Sequence, residues 1–154
     1  MPSFPVTTSR VRRSTADAVN RRIEGQIERD VAFFAEHPEF IGRRLQTLDA
    51  EWDIERTLEA NAATLALSGT VLGILGDRRF LALPVLVTTF LLQHALQGWC
   101  PPLPILRRLG IRTSGEINRE RMALKMLRGD FGTQGQAASG NARSRAEAAL
   151  RAAA

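Results

Sequence analysis

The side chains best suited to chemistry in this sequence are a single cysteine and two histidines. Cys100 lies in the segment GWCPP, shortly after His94, whereas His37 is remote from both in the sequence. A reactive cysteine needs its thiolate stabilised, for example by a helix N-terminus or by nearby cations. Cys100 instead follows a predicted helix, at the end whose partial negative charge opposes a thiolate. This placement favours a structural role for Cys100. No catalytic residue is predicted, and Cys100 is only a weak candidate for one.

No metal, cofactor or nucleic-acid site is predicted from the remaining residues. One cysteine and one histidine cannot complete the four-ligand site of structural zinc. The sequence has no CxxCH haem signature, no GxGxxG motif and no P-loop. The net charge of +5 comes from arginines that are mixed with acidic residues, without a recognised nucleic-acid-binding motif. We therefore expect a protein without catalysis of its own.

Two uncharged segments dominate the middle of the chain. They read ANAATLALSGTVLGILG at 60–76 and FLALPVLVTTFLLQHALQGW at 80–99, with Asp77, Arg78 and Arg79 between them. As helices they would be about 25 Å and about 30 Å long, compared with about 30 Å for a bilayer core. Burying the three intervening charges in one long span would cost about 9 kcal/mol, whereas a turn leaves them in water.

The predicted fold class is all-α, with a two-helix transmembrane hairpin over 58–106. Its spans are 58–76 and 80–99, and Gly76 is suited to end the first of them. The alternative is a soluble helical bundle with two core helices. That reading is less favoured because a soluble core helix normally has a polar face, and neither segment has a charged one.

Each predicted span carries a stripe that could pack against protein. The first has small residues at helical spacing: Ala62, Ala66, Gly69, Gly73 and Gly76. The second has Thr89, Gln93 and Gln97, and a glutamine facing lipid would lack hydrogen-bond partners. Two arrangements stay open: the two stripes meet within one hairpin, or Gly69 and Gly73 mediate a homodimer.

The flanking segments are predicted to be helical or flexible. Residues 1–13 read as a flexible N-terminus, 14–57 as cytoplasmic or interfacial helices and 132–154 as a disordered tail, with a fraying Ala-rich helix near its end as the alternative. The range 107–131 reads as a basic amphipathic helix, which follows the capping-box spacing at Thr113–Glu116 and ends at Gly129. Two arrangements of this helix stay open: it lies on anionic headgroups, or it packs against its neighbours. An apolar stripe on 14–36 is a candidate surface for a protein partner. The residues expected at the membrane surface, where anionic lipids would meet the basic helix, are Trp52, Trp99, Arg107 and Arg108.

The distribution of arginine predicts the orientation of the hairpin. The loop between the spans has only Arg78 and Arg79. The arginines near the outer ends are Arg43, Arg44, Arg56, Arg107, Arg108, Arg112 and Arg119. Because positive charge is retained in the cytoplasm, both termini are expected there.

Three stretches of the chain resemble a known family. EWDIERTLEANAATLALSG, LQGWCPPLPILRRLGIRT and ERMALKMLRGDF are similar to the YgaP-type bacterial inner-membrane hairpin domain, over residues 50 to 131. The most specific element is Gly98-Trp99-Cys100-Pro101, which matches a GxCP element at a helix end. The resemblance implies a two-span inner-membrane domain that can associate with itself. Some members are fused to a rhodanese sulfurtransferase domain, but this chain has no α/β pattern that would form one.

Two functional hypotheses follow. The first is a membrane anchor or interaction module in the bacterial inner membrane, without catalysis. The second is an accessory to sulfur transfer that carries a persulfide on Cys100. Acylation is a further possible modification of Cys100, because this residue directly follows an apolar segment.

Overall fold

The computed structural model describes residues 10–132 and 140–153, and the secondary structure in these ranges is helical without strands. The helices are α1 (Arg10–Arg13), α2 (Asp17–Glu36), α3 (Ile41–Ala50), α4 (Ile54–Leu75), α5 (Ala82–Gln97), α6 (Leu103–Arg108), α7 (Ser114–Arg128) and α8 (Ala142–Ala152). Short 3₁₀ turns at Pro38–Phe40 and Arg78–Leu81 precede α3 and α5. The prediction of an all-α chain is confirmed.

The chain forms two compact units. Unit 1 comprises Met1–Val19 and Trp52–Thr113, and unit 2 comprises Asn20–Glu51 and Ser114–Ala154. Unit 1 thus contains the two long uncharged segments, whereas unit 2 contains most of the amphipathic helices on either side of them.

Local signals define the two long helices of unit 1. The Asp53 carboxylate caps α4 by accepting a 2.8 Å hydrogen bond from the backbone N–H of Arg56. Asp77 similarly accepts from the backbone N–H of Arg79, which starts the 3₁₀ turn before α5. Helix α5 ends at Gly98, whose φ of +74° is a left-handed conformation that glycine adopts readily. Asp53 and Gly98 thus define the outer ends of the helix pair, and the turn that begins at Asp77 forms its short connection.

A small core closes the open end of this helix pair. Its buried side chains are Val11, Ile54, Leu58, Cys100 and Leu103. Arg10 packs against the end of α5 in two ways. Its side chain donates a hydrogen bond to the carbonyl of Ala95. Its backbone lies so close to Gly98 that a Cβ there would be 2.9 Å from the Arg10 carbonyl carbon. Residues 10–13 are therefore a packed helical turn and not part of a flexible N-terminus. Residues 1–9 lie outside the described residues.

The segment that follows Cys100 agrees with its prediction in part. Helix α7 lies where the sequence predicts a helix, between the capping box at Thr113–Glu116 and Gly129, but 107–131 is not one continuous helix because α6 is separate from α7. Gly110 separates them with a φ of +91°, and the Arg112 carbonyl then accepts a 2.9 Å hydrogen bond from Ile54 N–H. Pro104 lies in the first turn of α6, where a missing N–H does not interrupt the helix.

Unit 2 buries the apolar stripe of α2 in its own core. The buried side chains of this unit include Ile23, Ile27, Val31, Ile41, Leu45, Leu48, Ile117, Ala123 and Leu124. The stripe proposed as a partner surface on 14–36 is therefore covered within the chain, and Phe33 is the large apolar side chain of α2 that stays exposed. Amphipathicity alone could not distinguish an internal contact from an external one.

Ion pairs hold the basic residues of α7 inside unit 2. Arg44 pairs with the fully buried Glu120 at 2.7 Å and with Asp30 at 3.3 Å. Arg121 pairs with Asp49 at 3.0 Å, and Arg119 pairs with Glu24. Arg119 and Arg121 thus contact protein carboxylates. Of the two arrangements left open for this helix, these ion pairs favour packing against its neighbours.

Part of the tail is ordered as α8. Asn141 caps this helix by accepting a 2.9 Å hydrogen bond from Ser144 N–H, and Ala146, Ala149 and Leu150 are buried. Arg145 donates a 3.0 Å hydrogen bond to the Ala35 carbonyl near the end of α2. Helix α8 is the Ala-rich helix that the sequence offers as the alternative to disorder near the end of the tail. Its high helix propensity and the burial of its apolar positions stabilise it. The remainder of that predicted tail, 133–139 and 154, lies outside the described residues.

Candidate functional site: the apolar hairpin

The hairpin formed by α4 and α5 exposes most of its large apolar side chains. They are Leu65, Leu67, Val71, Leu72, Ile74, Leu75, Phe80, Leu81, Val85, Leu86, Leu92 and Leu96. Helix α5 has no buried residue, and α4 has only Ile54, Leu58, Gly69 and Gly73. A continuous apolar surface of this kind normally marks a contact with lipid or with another protein.

Both helical segments are long and apolar enough to cross a bilayer. Their most apolar 18-residue windows have mean hydropathies of 1.4 and 1.5. Only 17% of the first window and 0% of the second is buried. In a soluble bundle such windows would form the core, so their exposure argues against two core helices.

Two glycines allow α4 and α5 to approach each other closely near the loop. A Cβ on Gly69 would lie 2.8 Å from Pro84 Cδ and 2.9 Å from Leu83 Cβ. A Cβ on Gly73 would lie 2.6 Å from Leu81 Cγ and 3.1 Å from the Leu81 nitrogen. The space beside both glycines is therefore filled by side chains of the same hairpin, so a second copy has no open groove to enter there.

The polar stripe of α5 does not form the contact with these glycines. Gly69 meets Leu83 and Pro84, whereas Thr89 and Gln97 are exposed and Gln93 is partly exposed. The expected pairing of small and polar stripes is thus replaced by a contact between small residues and the start of α5. The sequence could not define which face of α5 turns inward, because this helix is apolar nearly all round.

A cavity of about 340 Å³ lies at the other end of the hairpin, where it is walled by α4, α5 and the segment after Cys100. Its lining residues are Leu58, Asn61, Ala62, Leu65, Val87, Phe90, Leu91, His94, Cys100, Pro101, Pro102 and Leu106. His94 and Cys100 are therefore close to one cavity. Among the described residues, no group of three or more His, Cys, Asp or Glu could hold a metal ion.

Cys100 is part of the small core. Its side chain is 4% exposed, and burial raises the pKa of the thiol, an effect that a backbone hydrogen bond from Leu103 partly offsets. At neutral pH the thiolate fraction is consequently lower than for a free cysteine, although the thiolate is the reactive form. These features are those of a structural cysteine.

We expect Cys100 to react slowly with a maleimide in the folded protein. In mild detergent at neutral pH, alkylation should be roughly 100-fold slower than after denaturation in SDS, because exposure of the thiol requires local opening. Mass spectrometry of quenched samples measures both rates. Equal rates in the two conditions would contradict the buried position.

The residues predicted at the membrane surface have different environments. Trp52 is exposed with the Arg56 guanidinium 4.4 Å from its ring centre, and Trp99 is also exposed. Arg108 is exposed, but Arg107 is fully buried. The Arg107 guanidinium donates to Thr15 Oγ1 at 3.2 Å and to the Ile111 carbonyl at 3.1 Å. Arg107 is therefore a structural residue, which corrects its predicted place at the membrane surface.

Replacing each of these adjacent arginines with alanine separates the two roles. Arg107→Ala should lower the free energy of unfolding by about 2–4 kcal/mol, because buried polar partners lose a charged hydrogen-bond donor. Arg108→Ala should change it by less than about 0.5 kcal/mol, as is usual at the surface. Denaturant titration in mixed micelles measures both values, and similar losses for the two variants would contradict this assignment.

In comparisons with protein-family models, curated proteins and solved structures, no match to this chain was found. The resemblance to the YgaP-type hairpin domain therefore stays a prediction.

Proposed function

We propose that this protein is an integral membrane hairpin of the bacterial inner membrane, which acts as an anchor or interaction module without catalysis of its own. Helices α4 and α5 are the spans, and the bilayer covers their exposed side chains. The hairpin would thus anchor unit 2 to the membrane. The resemblance of residues 50 to 131 to an inner-membrane hairpin domain accords with this assignment.

The observation that carries the proposal is the exposure of the two apolar helices. The segments 60–76 and 80–99 contain no charged residue, and α5 buries none of its residues within the chain. In water this surface would aggregate, whereas in a bilayer it is solvated by acyl chains. The backbone requirements of a bilayer are also satisfied, because helices pair their own N–H and C=O groups.

The base of the hairpin has the features of a membrane–water interface. Trp52 and Trp99 are exposed near the start of α4 and the end of α5, at the side opposite the charged loop. Amphipathic rings favour the headgroup region. Arg56 and Arg108 lie on the same side as the tryptophans, where anionic headgroups would attract them.

The persulfide hypothesis receives no support from the surroundings of Cys100. A persulfide carrier must present its sulfur to a donor and to an acceptor, but this thiol is buried and its pKa is raised. We therefore favour the anchor or interaction module.

Site-directed labelling tests the hairpin and its orientation. In a Cys100→Ala background, single cysteines replace Asp77 in the loop or Ala152 at the end of α8, both of which are exposed. A membrane-impermeant maleimide should label the loop cysteine in intact spheroplasts and the Ala152→Cys variant only after lysis. Labelling of both positions in intact spheroplasts, or of Ala152→Cys alone, would contradict cytoplasmic termini.

A further inference from the structure

The cavity between α4, α5 and residues 100–106 has the size and the lining of a small-molecule site. Its volume is about 340 Å³, and ligand pockets in proteins begin at about 300 Å³. Apolar side chains form most of its wall, and all of its lining residues belong to unit 1. A pocket of this kind takes an apolar ligand, which a few polar groups then orient.

The lining determines the charge of the ligand. Among the described residues, no Asp, Glu, Lys or Arg lines this cavity. Burying an ionised group without a counter-charge is strongly unfavourable, so an anionic headgroup or an ionised carboxylate does not fit inside. The part of the ligand that enters the cavity is therefore neutral.

Two polar side chains at the cavity can form hydrogen bonds with such a ligand. His94 Nδ1 is buried and makes no hydrogen bond to any described residue, although buried polar atoms normally have a partner. In a neutral imidazole this nitrogen either donates or accepts, depending on the tautomer. The Asn61 amide donates one N–H to the Thr57 carbonyl at 2.8 Å, and its second N–H can still donate. These groups fit a neutral ligand that carries oxygen.

The ring-shaped side chains of the wall favour a ring over a flexible chain. Phe90 of α5 lines the cavity together with Pro101 and Pro102 from the following segment. Aromatic side chains pack best against other rings, either stacked with an offset or edge to face. The ligand that fits these features is a neutral ring with oxygen substituents.

We propose that this cavity binds the ring of a membrane quinone, in its oxidised or reduced form, while the apolar tail of the quinone lies among the acyl chains. His94 Nδ1 forms a hydrogen bond with one ring oxygen, donating to a quinone carbonyl or accepting from a quinol hydroxyl. Asn61 contacts the ring from α4. This inference rests on the proposed membrane location, since such a ligand reaches the cavity through the bilayer, and it names a ligand for the interaction module.

Titration of the purified full chain in detergent micelles with decyl-ubiquinone tests the site. Decanol is the matched control ligand, because it has the apolar chain and an oxygen but no ring. Calorimetry should show saturable binding of decyl-ubiquinone and at least about 10-fold weaker binding of decanol, which lacks the ring contacts. Equal affinities would show a site for acyl chains and would overturn the proposal.

Adjacent alanines on α4 locate the site. Ala62 lines the cavity, whereas Ala63 is exposed outside it, and in a helix the two side chains point about 100° apart. Ala62→Phe should weaken the binding of decyl-ubiquinone roughly 10-fold or more, because the added ring occupies the volume that the ligand needs. Ala63→Phe should bind as the parent does. The same affinity in both variants would place the ligand elsewhere.

A second pair of variants tests the hydrogen bond. His94→Leu keeps the cavity wall apolar but removes the ring nitrogen, and it should weaken binding about 2- to 13-fold, the range of one hydrogen bond. Gln93→Leu is the control, because Gln93 does not line the cavity. Unchanged affinity in His94→Leu would exclude His94 as the group that binds the ring oxygen.

The thiol of Cys100 gives a local readout of occupancy, because it also lines the cavity. The ring of decyl-ubiquinone is fully substituted and does not add thiols. When this ligand fills about nine-tenths of the sites, maleimide should alkylate Cys100 about 10-fold more slowly, since only the empty sites react. Decanol at the same concentration should leave the rate nearly unchanged. An absence of protection by decyl-ubiquinone would contradict binding in this cavity.

Carbonate extraction distinguishes this inference from the membrane proposal. If the protein stays in the membrane pellet but does not bind decyl-ubiquinone, or binds it equally in the parent and Ala62→Phe proteins, only the quinone site is wrong. If carbonate releases the protein, both proposals are wrong.

Discussion

Arginine in place of Leu67 is expected to prevent most of the protein from entering the membrane. Leu67 lies in the middle of the first predicted span, and its side chain is 67% exposed. The substitution replaces a favourable apolar residue with a charge at the centre of the bilayer, a change of about 3–4 kcal/mol in insertion free energy. Partitioning should fall roughly 150- to 900-fold, as measured by the ratio of carbonate-resistant to carbonate-released protein.

Leu109→Arg provides the matched control for this substitution. Leu109 is 74% exposed, but it follows α6 and lies outside both predicted spans. Its replacement should leave membrane retention unchanged. A soluble helical protein would respond differently, because arginine at either exposed leucine would be tolerated and would favour solubility. Equal behaviour of Leu67→Arg and Leu109→Arg would therefore contradict the hairpin as a membrane anchor.

Leucine in place of Gly69 is expected to force α4 and α5 apart. The space for a Cβ is already taken by Leu83 Cβ and Pro84 Cδ, which cannot rotate away because each is fixed to its own backbone. Overpacking of this kind typically lowers stability by about 1–3 kcal/mol, and the rigid position of the Leu83 and Pro84 atoms places this site at the upper end. SDS titration of the protein in mixed micelles, followed by circular dichroism, gives the free energy of unfolding.

Ala63→Leu is the corresponding control on the same helix. Ala63 is exposed on α4, so its replacement adds apolar surface where the proposal places lipid. The unfolding free energy should then change by less than about 0.5 kcal/mol. If Gly69→Leu were as stable as Ala63→Leu, the contact between Gly69 and the start of α5 would not hold the hairpin together.

The extent of the hairpin could be predicted because its signals are local and strong. Uncharged length, the charged tripeptide 77–79 and the capping residues define where α4 and α5 begin and end. The face that each helix turns inward was harder to predict. Glycines on α4 indicate a close approach, but α5 is apolar on most sides, so its inner face depends on which side chains fit against Gly69 and Gly73.

The short elements could not be predicted because they depend on tertiary packing. Helix α1 has one apolar residue, Val11, and no sequence pattern shows that it completes a core with Cys100 and Leu103. The burial of Arg107 could not be predicted from the sequence either, because two adjacent arginines normally indicate an exposed basic surface. In both cases distant residues supply the contacts, namely Thr15 for Arg107 and Ile54 for Val11.

Alkaline carbonate extraction of membranes that contain the unmodified protein tests the central claim most directly. A hairpin held by two apolar spans should stay in the membrane pellet at high pH and enter solution only with detergent, because acyl chains cover α4 and α5. Release of the protein into the carbonate supernatant as a monodisperse species would contradict this account, since the exposed apolar surface would then need no lipid.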